Sequence, residues 1–300
     1  MGGRCYVAGT DGAAGISRLL AGSTFLVTGA TGARVASGIC DAVHAAGGRL
    51  VVSDLTDAAV AETVERYPGA LGVTGDVTDP ADAERVVATA VERYGVLDGL
   101  VNNAGIGLRK PFYEATEEEF DQVLDTDLRG VWLMSRAFAR SAIDQGRPGS
   151  IVNISSVHAR ATIDRYGIYA GAKAGVEGLT RGCAVELGAH GIRCNAVAPG
   201  YVPPATHLDG GSRPADRIDA HTHGEQPLYR TVEPIECGWA AVFLLSELSR
   251  CVTGQVIGVD AGLSIRLYNR EWSERAYTDR LARSGAAGAG AGSGGSRSVS

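Results

Sequence analysis

The sequence predicts a single α/β domain built on a doubly wound parallel sheet. Three observations carry this reading. Short, unbroken apolar runs recur along the chain, amphipathic stretches separate them, and most runs end in glycine or a polar residue. A strand covered by helices on both faces needs apolar side chains pointing both ways, so it reads as a continuous run rather than an alternating one.

The elements follow in order. Residues 1–23 are Gly/Ala-rich and read as a flexible N-terminal extension. The domain proper is expected over 24–265. Phe25-Leu26-Val27 is the first strand, ended by Thr28-Gly29, and Leu50-Val51-Val52 the second, closed by Ser53-Asp54. Gly99-Leu100-Val101 runs into Asn102-Asn103-Ala104-Gly105, and Ser150 to Ile154 into Ser155-Ser156. Ile192 to Val197 leads to Ala198-Pro199-Gly200, and Gln255 to Val259 to Asp260-Ala261-Gly262. Val60, Val64 and Tyr67 recur at helical spacing, as do Val86, Val87, Ala90, Val91 and Tyr94. Residues 266–283 form a C-terminal segment. The final stretch, 284–300, is Gly/Ala/Ser-rich with almost nothing to bury, and is expected to be disordered.

Composition excludes several classes. The 300 residues are 45% hydrophobic and 21% charged, with a net charge of −6 and no long run of one sign. That balance argues against nucleic acid or an anionic membrane as partner. No apolar stretch is long enough to span a bilayer, and the N-terminus lacks a secretory apolar core. The six cysteines are scattered without CxxC spacing and read as reduced thiols of a cytoplasmic protein.

In doubly wound sheets, ligands bind beyond the carboxyl ends of the strands. The first strand runs into VTGATG, whose Gly29, Thr31 and Gly32 suit a tight turn at which a backbone approaches a pyrophosphate. Asp54 ends the second strand, 25 residues after Gly29. A carboxylate there accepts from both ribose hydroxyls of NAD and repels a 2′-phosphate. The alternative reading of Asp54 is a helix N-cap. Arg34 leaves NADP open, but NAD is the expected cofactor.

Tyr169 and Lys173 stand at i and i+4, on one helical face. A lysine ammonium beside a phenol favours the phenolate, a usable acid/base nearer neutral pH. Ser156, at the end of the preceding strand, can donate to a carbonyl oxygen as charge develops on it. Each residue alone has a bland reading as a solvated or turn-forming side chain.

Together these features resemble the short-chain dehydrogenase/reductase family, from Thr24 to about Ser264. The resemblance is carried by TGATG (28–32), Asp54, GDV (75–77), NNAG (102–105), NISS (153–156), YAGAK (169–173), APGYV (198–202) and VTGQVIGVDAG (252–262). Ser156 precedes Tyr169 by 13 residues, as in that family. The resemblance implies a Rossmann-like fold and an NAD(P)(H)-dependent interconversion of secondary alcohol and ketone. Tyr169 would be the acid/base, Lys173 its partner and a hold on the nicotinamide ribose, and Ser156 the group polarising the carbonyl. Asp76 and Val77 would meet the adenine, Asn103, Ala104 and Gly105 the adenosine side, and Pro199, Gly200 and Val202 the nicotinamide. No metal is expected. A homodimer or homotetramer is implied, paired through 117–140 and 169–187.

Three departures stand out. The family's later turn glycines are replaced by Ala33 and Val35, with glycine at 32 and 38 instead. Asp127 occupies the place of an asparagine that in the family helps hold a water linking the lysine to solvent. Pro204 replaces a threonine, with Thr206 two residues on. The segment 203–230 is expected to form a substrate lid. It carries His207, Asp209, Asp216, Asp219, His221, His223 and Tyr229, while His158, Arg160, Asp164, Arg165 and Tyr166 follow the serine. This polarity favours a small polar, polyhydroxylated alcohol or ketone. Two alternatives stay open: an epimerase or dehydratase using the cofactor transiently, and a non-catalytic nucleotide-binding sensor or assembly subunit.

Overall fold

The computed structural model describes residues 17–31, 34–203, 226–228 and 230–266. Seven parallel strands form one sheet: β1 (Thr24–Thr28), β2 (Arg49–Asp54), β3 (Leu71–Thr74), β4 (Gly99–Asn102), β5 (Gly149–Ile154), β6 (Ile192–Pro199) and β7 (Val256–Val259). The described helices are α1 (Val35–Ala45), α2 (Asp57–Arg66), α3 (Pro80–Tyr94), α4 (Glu117–Leu124), α5 (Gly130–Asp144), α6 (Gly167–Leu187) and α7 (Pro234–Leu245). Spatial order is β3-β2-β1-β4-β5-β6-β7. The chain builds outward from β1 to β3, then crosses back to place β4 on the other side of β1. A crevice opens at that reversal, beyond the strand ends.

Register aligns those ends. Thr28 lies opposite Ser53, Asn102 opposite Asn153, and Ile154 opposite Val197. The residues that follow each strand therefore share one rim. Successive side chains alternate faces: Phe25 and Val27 pack with Ile39, Val43 and Leu244, while Leu26 packs with Val86, Leu100 and Leu133 on the other side. Each large apolar side chain so buried contributes about 1.5–3 kcal/mol.

Two elements escape the sequence pattern. β3 is a four-residue edge strand, only partly buried, with glycine inside it, so it shows no continuous apolar run. Gly72 leaves room there for Val60 and Val64 of α2. α7 is mostly apolar and carries no clear helical stripe, because it packs both against α1 and against β5, β6 and β7. Its approach to α1 depends on two glycines. A Cβ on Gly38 would overlap the Pro234 carbonyl and stand 2.5 Å from Ile235 N, and one on Gly238 would overlap the Gly38 carbonyl. The glycine displaced to position 38 thus serves helix packing.

Local chemistry sets the helix ends. Thr56 caps α2 by accepting from Ala59 N (3.2 Å), and Asp79 caps α3 by accepting from Ala81 N (2.7 Å). Thr116 and Glu119 form a reciprocal capping box on α4. α4 does not stop at Leu124 but widens into a π turn over Asp125–Arg129 before continuing as α5. Within the segment read as an extension, Leu20 is buried in the core and donates its amide to Ala46 O (3.0 Å). Burial pushes the thiols of Cys40 and Cys237 up to about 12, as expected of packing cysteines. No described helix is long and apolar enough to cross a membrane.

Candidate active site

The turn after β1 is pressed against the turn after β4. Gly29 has φ +59°, and a Cβ there would stand 2.6 Å from Ala104 Cα. Asn103 Nδ2 donates to the carbonyls of Thr28 (3.2 Å) and Gly29 (2.8 Å), while Thr28 Oγ1 accepts from the amides of Asn103 and Ala104, both at 3.2 Å. Thr31 reaches across to Asp54: its amide and hydroxyl donate to Oδ2 at 3.1 and 2.6 Å, and Leu55 N donates to Oδ1 at 2.8 Å. Since Thr56 is the cap of α2, the alternative role of Asp54 as N-cap is not the one adopted. Gly32 lies outside the described residues, and Arg34 is an exposed part of the cleft wall. Asp76 Oδ1 accepts from the amide and hydroxyl of Thr78, both at 2.8 Å, which fixes the loop after β3.

At the other end, Ser156 follows β5 and caps the single turn 157–159, its Oγ accepting from His158 N at 3.2 Å. Ser155 donates instead toward Lys173 O and Glu177 Oε1, both at 3.4 Å. This separates the two serines: the hydroxyl of Ser155 is engaged with α6. Tyr169 lies in the first turn of α6 and Lys173 one turn later, its Nζ 5.6 Å from the tyrosine ring centroid. Nζ donates to Ile154 O at 3.1 Å and pairs with Asp127 Oδ2 at 3.1 Å. Asp127 Oδ1 accepts from Ile106 N at 2.7 Å.

This ion pair is enclosed: Lys173 is 4% and Asp127 0% exposed. Buried charges persist only when paired and hydrogen-bonded, and the π turn presents Asp127 where both conditions are met. Gly105 is tied to the same arrangement, since a Cβ there would lie 3.1 Å from Asp127 Oδ2 and 3.3 Å from Lys173 Nζ. The direct contact between Asp127 and Lys173 carried no sequence signal beyond the departure from asparagine, because a backbone amide far along the chain completes it.

The end of β6 closes the site. Gly200 N donates to Val259 O (2.9 Å), and a Cβ on Gly200 would stand 2.8 Å from Asp260 Cα. Val202 is buried with Val232 and Cys237. Asp260 is buried, which by itself opposes ionisation. Hydrogen bonds from Ser264 and Gly262 outweigh that and hold its carboxyl below the usual range.

These walls enclose a cleft of about 1350 Å³. Among the described catalytic and cofactor residues expected from sequence, all line it except Thr31, which hydrogen-bonds Asp54. Of the polar residues after the serine, His158 and Tyr166 line it and Arg160, Asp164 and Arg165 do not. Pro204, Thr206 and the polar residues of the expected lid, His207, Asp209, Asp216, Asp219, His221, His223 and Tyr229, lie outside the described residues. No group of three or more His, Cys, Asp or Glu side chains suited to a metal ion occurs among the described residues. The arrangement fits a dinucleotide: a backbone cradle at Gly29 with no room for a side chain, a carboxylate at the end of β2, and a long cleft leading to a tyrosine–lysine pair.

Comparison with known proteins agrees with this geometry. Residues 29–264 match the family described as enoyl-(acyl carrier protein) reductase. The chain is 36% identical over 256 residues to L-rhamnose 1-dehydrogenase (NAD(P)(+)) of Sphingomonas sp. (strain SKA58), covering 83% of this chain and 99% of that one. It is 36% identical over 244 residues to human L-xylulose reductase, covering 81% and 97%. The crystal structure of a short chain dehydrogenase from Mycobacterium smegmatis superposes with a TM-score of 0.72 at 32% identity, covering 81% of this chain and 93% of that one. With the strand order, the cleft and these relatives in agreement, the chain belongs to the short-chain dehydrogenase/reductase family.

Proposed function

We propose that this NAD(P)-dependent oxidoreductase prefers NAD and interconverts a polyhydroxylated secondary alcohol with its ketone, Tyr169 serving as acid/base. The observation that carries the reading is one cleft with Asp54 at one end and Ser156, Tyr169 and Lys173 at the other. The chain's similarity to an L-rhamnose 1-dehydrogenase and an L-xylulose reductase supports the substrate class. So does the polar wall of His158, Thr162 and Tyr166 beside Tyr169.

Gly29, Asn103, Ala104 and Gly105 would shape the cofactor's bed together with Asp76 and Val77, Asp54 would take the ribose hydroxyls, and Pro199, Gly200 and Val202 would flank the nicotinamide. When bound, that ring supplies or accepts the hydride. The chain handles the proton and the geometry. Ser156 Oγ orients the substrate oxygen, and the Tyr169 hydroxyl takes or returns its proton. Lys173, anchored on Ile154 O, lies over the Tyr169 ring. Asp127 is a positioning residue. It pairs with Lys173 and holds the ammonium in place.

The scattered cysteines, without CxxC spacing, support a cytoplasmic location. Phe120, Trp132 and Val185 are exposed on the helices expected to pair, which supports a homo-oligomer.

The test is a side-by-side titration of purified protein with NADH and NADPH, followed by turnover of polyols by wild type and Tyr169→Phe. Tighter NADH and a loss of turnover of about 10²–10⁴-fold in the variant are expected. Tighter NADPH would overturn the role of Asp54 and point to Arg34.

A further inference from the structure

We propose that His158 determines substrate choice: its Nε2 binds a second hydroxyl of the substrate, on a carbon neighbouring the reacting one, and so selects polyhydroxylated alcohols over simple secondary ones. This rests on the polyol reading above and specifies which side chain enforces it.

His158 is fixed by its neighbours on three sides. Its backbone amide donates to Ser156 Oγ (3.2 Å), which ties the residue to the serine expected to orient the substrate. Its Nδ1 lies 2.9 Å from Thr162 Oγ1. One ring face stacks on Tyr166 with centroids 4.6 Å apart and planes at 27°, and Tyr169 meets it at 5.7 Å and 75°. Among the described residues, Nε2 has no hydrogen-bond partner, while His158, Thr162, Tyr166 and Tyr169 all line the cleft. Thr162 Oγ1 has two candidate acceptors, Ile163 O at 3.4 Å and the imidazole. Whichever takes its proton, Nε2 is left as either a donor or an acceptor, and a hydroxyl matches both.

The surrounding backbone is held in a conformation consistent with a built wall. Arg165, just before Tyr166, has φ +68°, unusual for a residue with a side chain. Lys110 N donates to Arg165 O (2.9 Å), and Arg160 pairs with Glu177 of α6 (3.2 Å), so both ends of the segment are tied down. Burial holds the imidazole below its usual pKa and keeps it neutral near pH 7.

Two substitutions separate the ring nitrogens. His158→Asn keeps a polar group where Nδ1 meets Thr162 but lacks one at the Nε2 position, whereas His158→Gln reaches the Nε2 position. The backbone amide to Ser156 survives in both. The readout is the ratio of kcat/KM for the best polyol to that for cyclohexanol, which cancels any general effect on turnover. The ratio is expected to fall about 10- to 100-fold in His158→Asn and to stay within about threefold of wild type in His158→Gln. If wild type prefers polyols and His158→Asn keeps the wild-type ratio, the role of His158 is overturned while the polyol reading stands. If wild type itself shows no preference for polyols, the polyol reading fails first. Matching losses in both variants would also overturn the inference, since they would indicate that stacking, not Nε2, carries the effect.

Discussion

Replacing Gly38 with alanine tests how tightly α1 is fastened to the fold. In α1 the added methyl would overlap the carbonyl of Pro234 and stand 2.5 Å from Ile235 N, where ordinary contacts require about 3.5–4.0 Å. The obstacle is backbone, so no rotamer change relieves it, and the helices must separate by about 1 Å or more. Contacts across a gap of that size lose up to about half their attraction, and here they include Ile39, Ala42 and Val43 against Ala241 and Val242. Overpacking of this kind costs about 1–3 kcal/mol, and a backbone clash belongs at or above the top of that range. For a domain of this size about 3 kcal/mol lowers Tm by roughly 6–12 °C. Because α1 opens directly from the turn after Gly29, NADH affinity falls as well. Thermal unfolding and a fluorescence titration measure both effects. A Gly38→Ala protein melting within about 2 °C of wild type, with unchanged NADH binding, would refute the close contact of α1 and α7.

Other perturbations probe the site. Asp127→Asn removes the buried carboxylate 3.1 Å from Lys173 Nζ, so Lys173 is held less firmly and kcat falls. It also costs stability, about 3 kcal/mol, because a buried ammonium loses its counter-ion. An unchanged rate and Tm would remove Asp127 from the support of Lys173. Asp54→Ala releases Thr31 and removes the expected ribose acceptor, so NADH should bind about 10- to 100-fold more weakly and lose its advantage over NADPH. Equal NADH affinity in the variant would exclude that role. Burial depresses the His158 pKa below its ordinary value of 6.5, so the unfolded chain takes up that proton more readily. The resulting stability is complete above about pH 6.5 and is lost as pH falls below it. The Tm difference between wild type and His158→Gln should therefore shrink between about pH 7.5 and 5.5; a constant difference would show that the ring titrates as if unfolded.

Much of this protein was legible from local pattern. Continuous apolar runs identified six of the seven strands, because a strand covered on both faces must be apolar throughout. Glycines and polar residues at their ends marked the crevice, and Ser156, Tyr169 and Lys173, recognised by their spacing, all line it. β3 and α7 were hidden for different reasons. In β3 a glycine and a terminal threonine break up the apolar run, and α7 carries apolar residues around most of its circumference, so no single stripe stands out.

What the sequence determined by itself was therefore the order of elements and the chemistry available at the strand ends, since both depend on spacing along the chain. Only the tertiary structure decided which groups meet across it. Asp127 could be seen as an anomaly in a motif, but its pairing with Lys173 needed the π turn, the absent side chain at Gly105 and the Ile106 amide. Gly38 read as a displaced turn glycine until α7, almost two hundred residues away, came to lie against it. The open Nε2 of His158 likewise follows from three neighbours that occupy the rest of the ring. Such contacts are set by packing between elements distant in sequence, and no periodicity within one element encodes them.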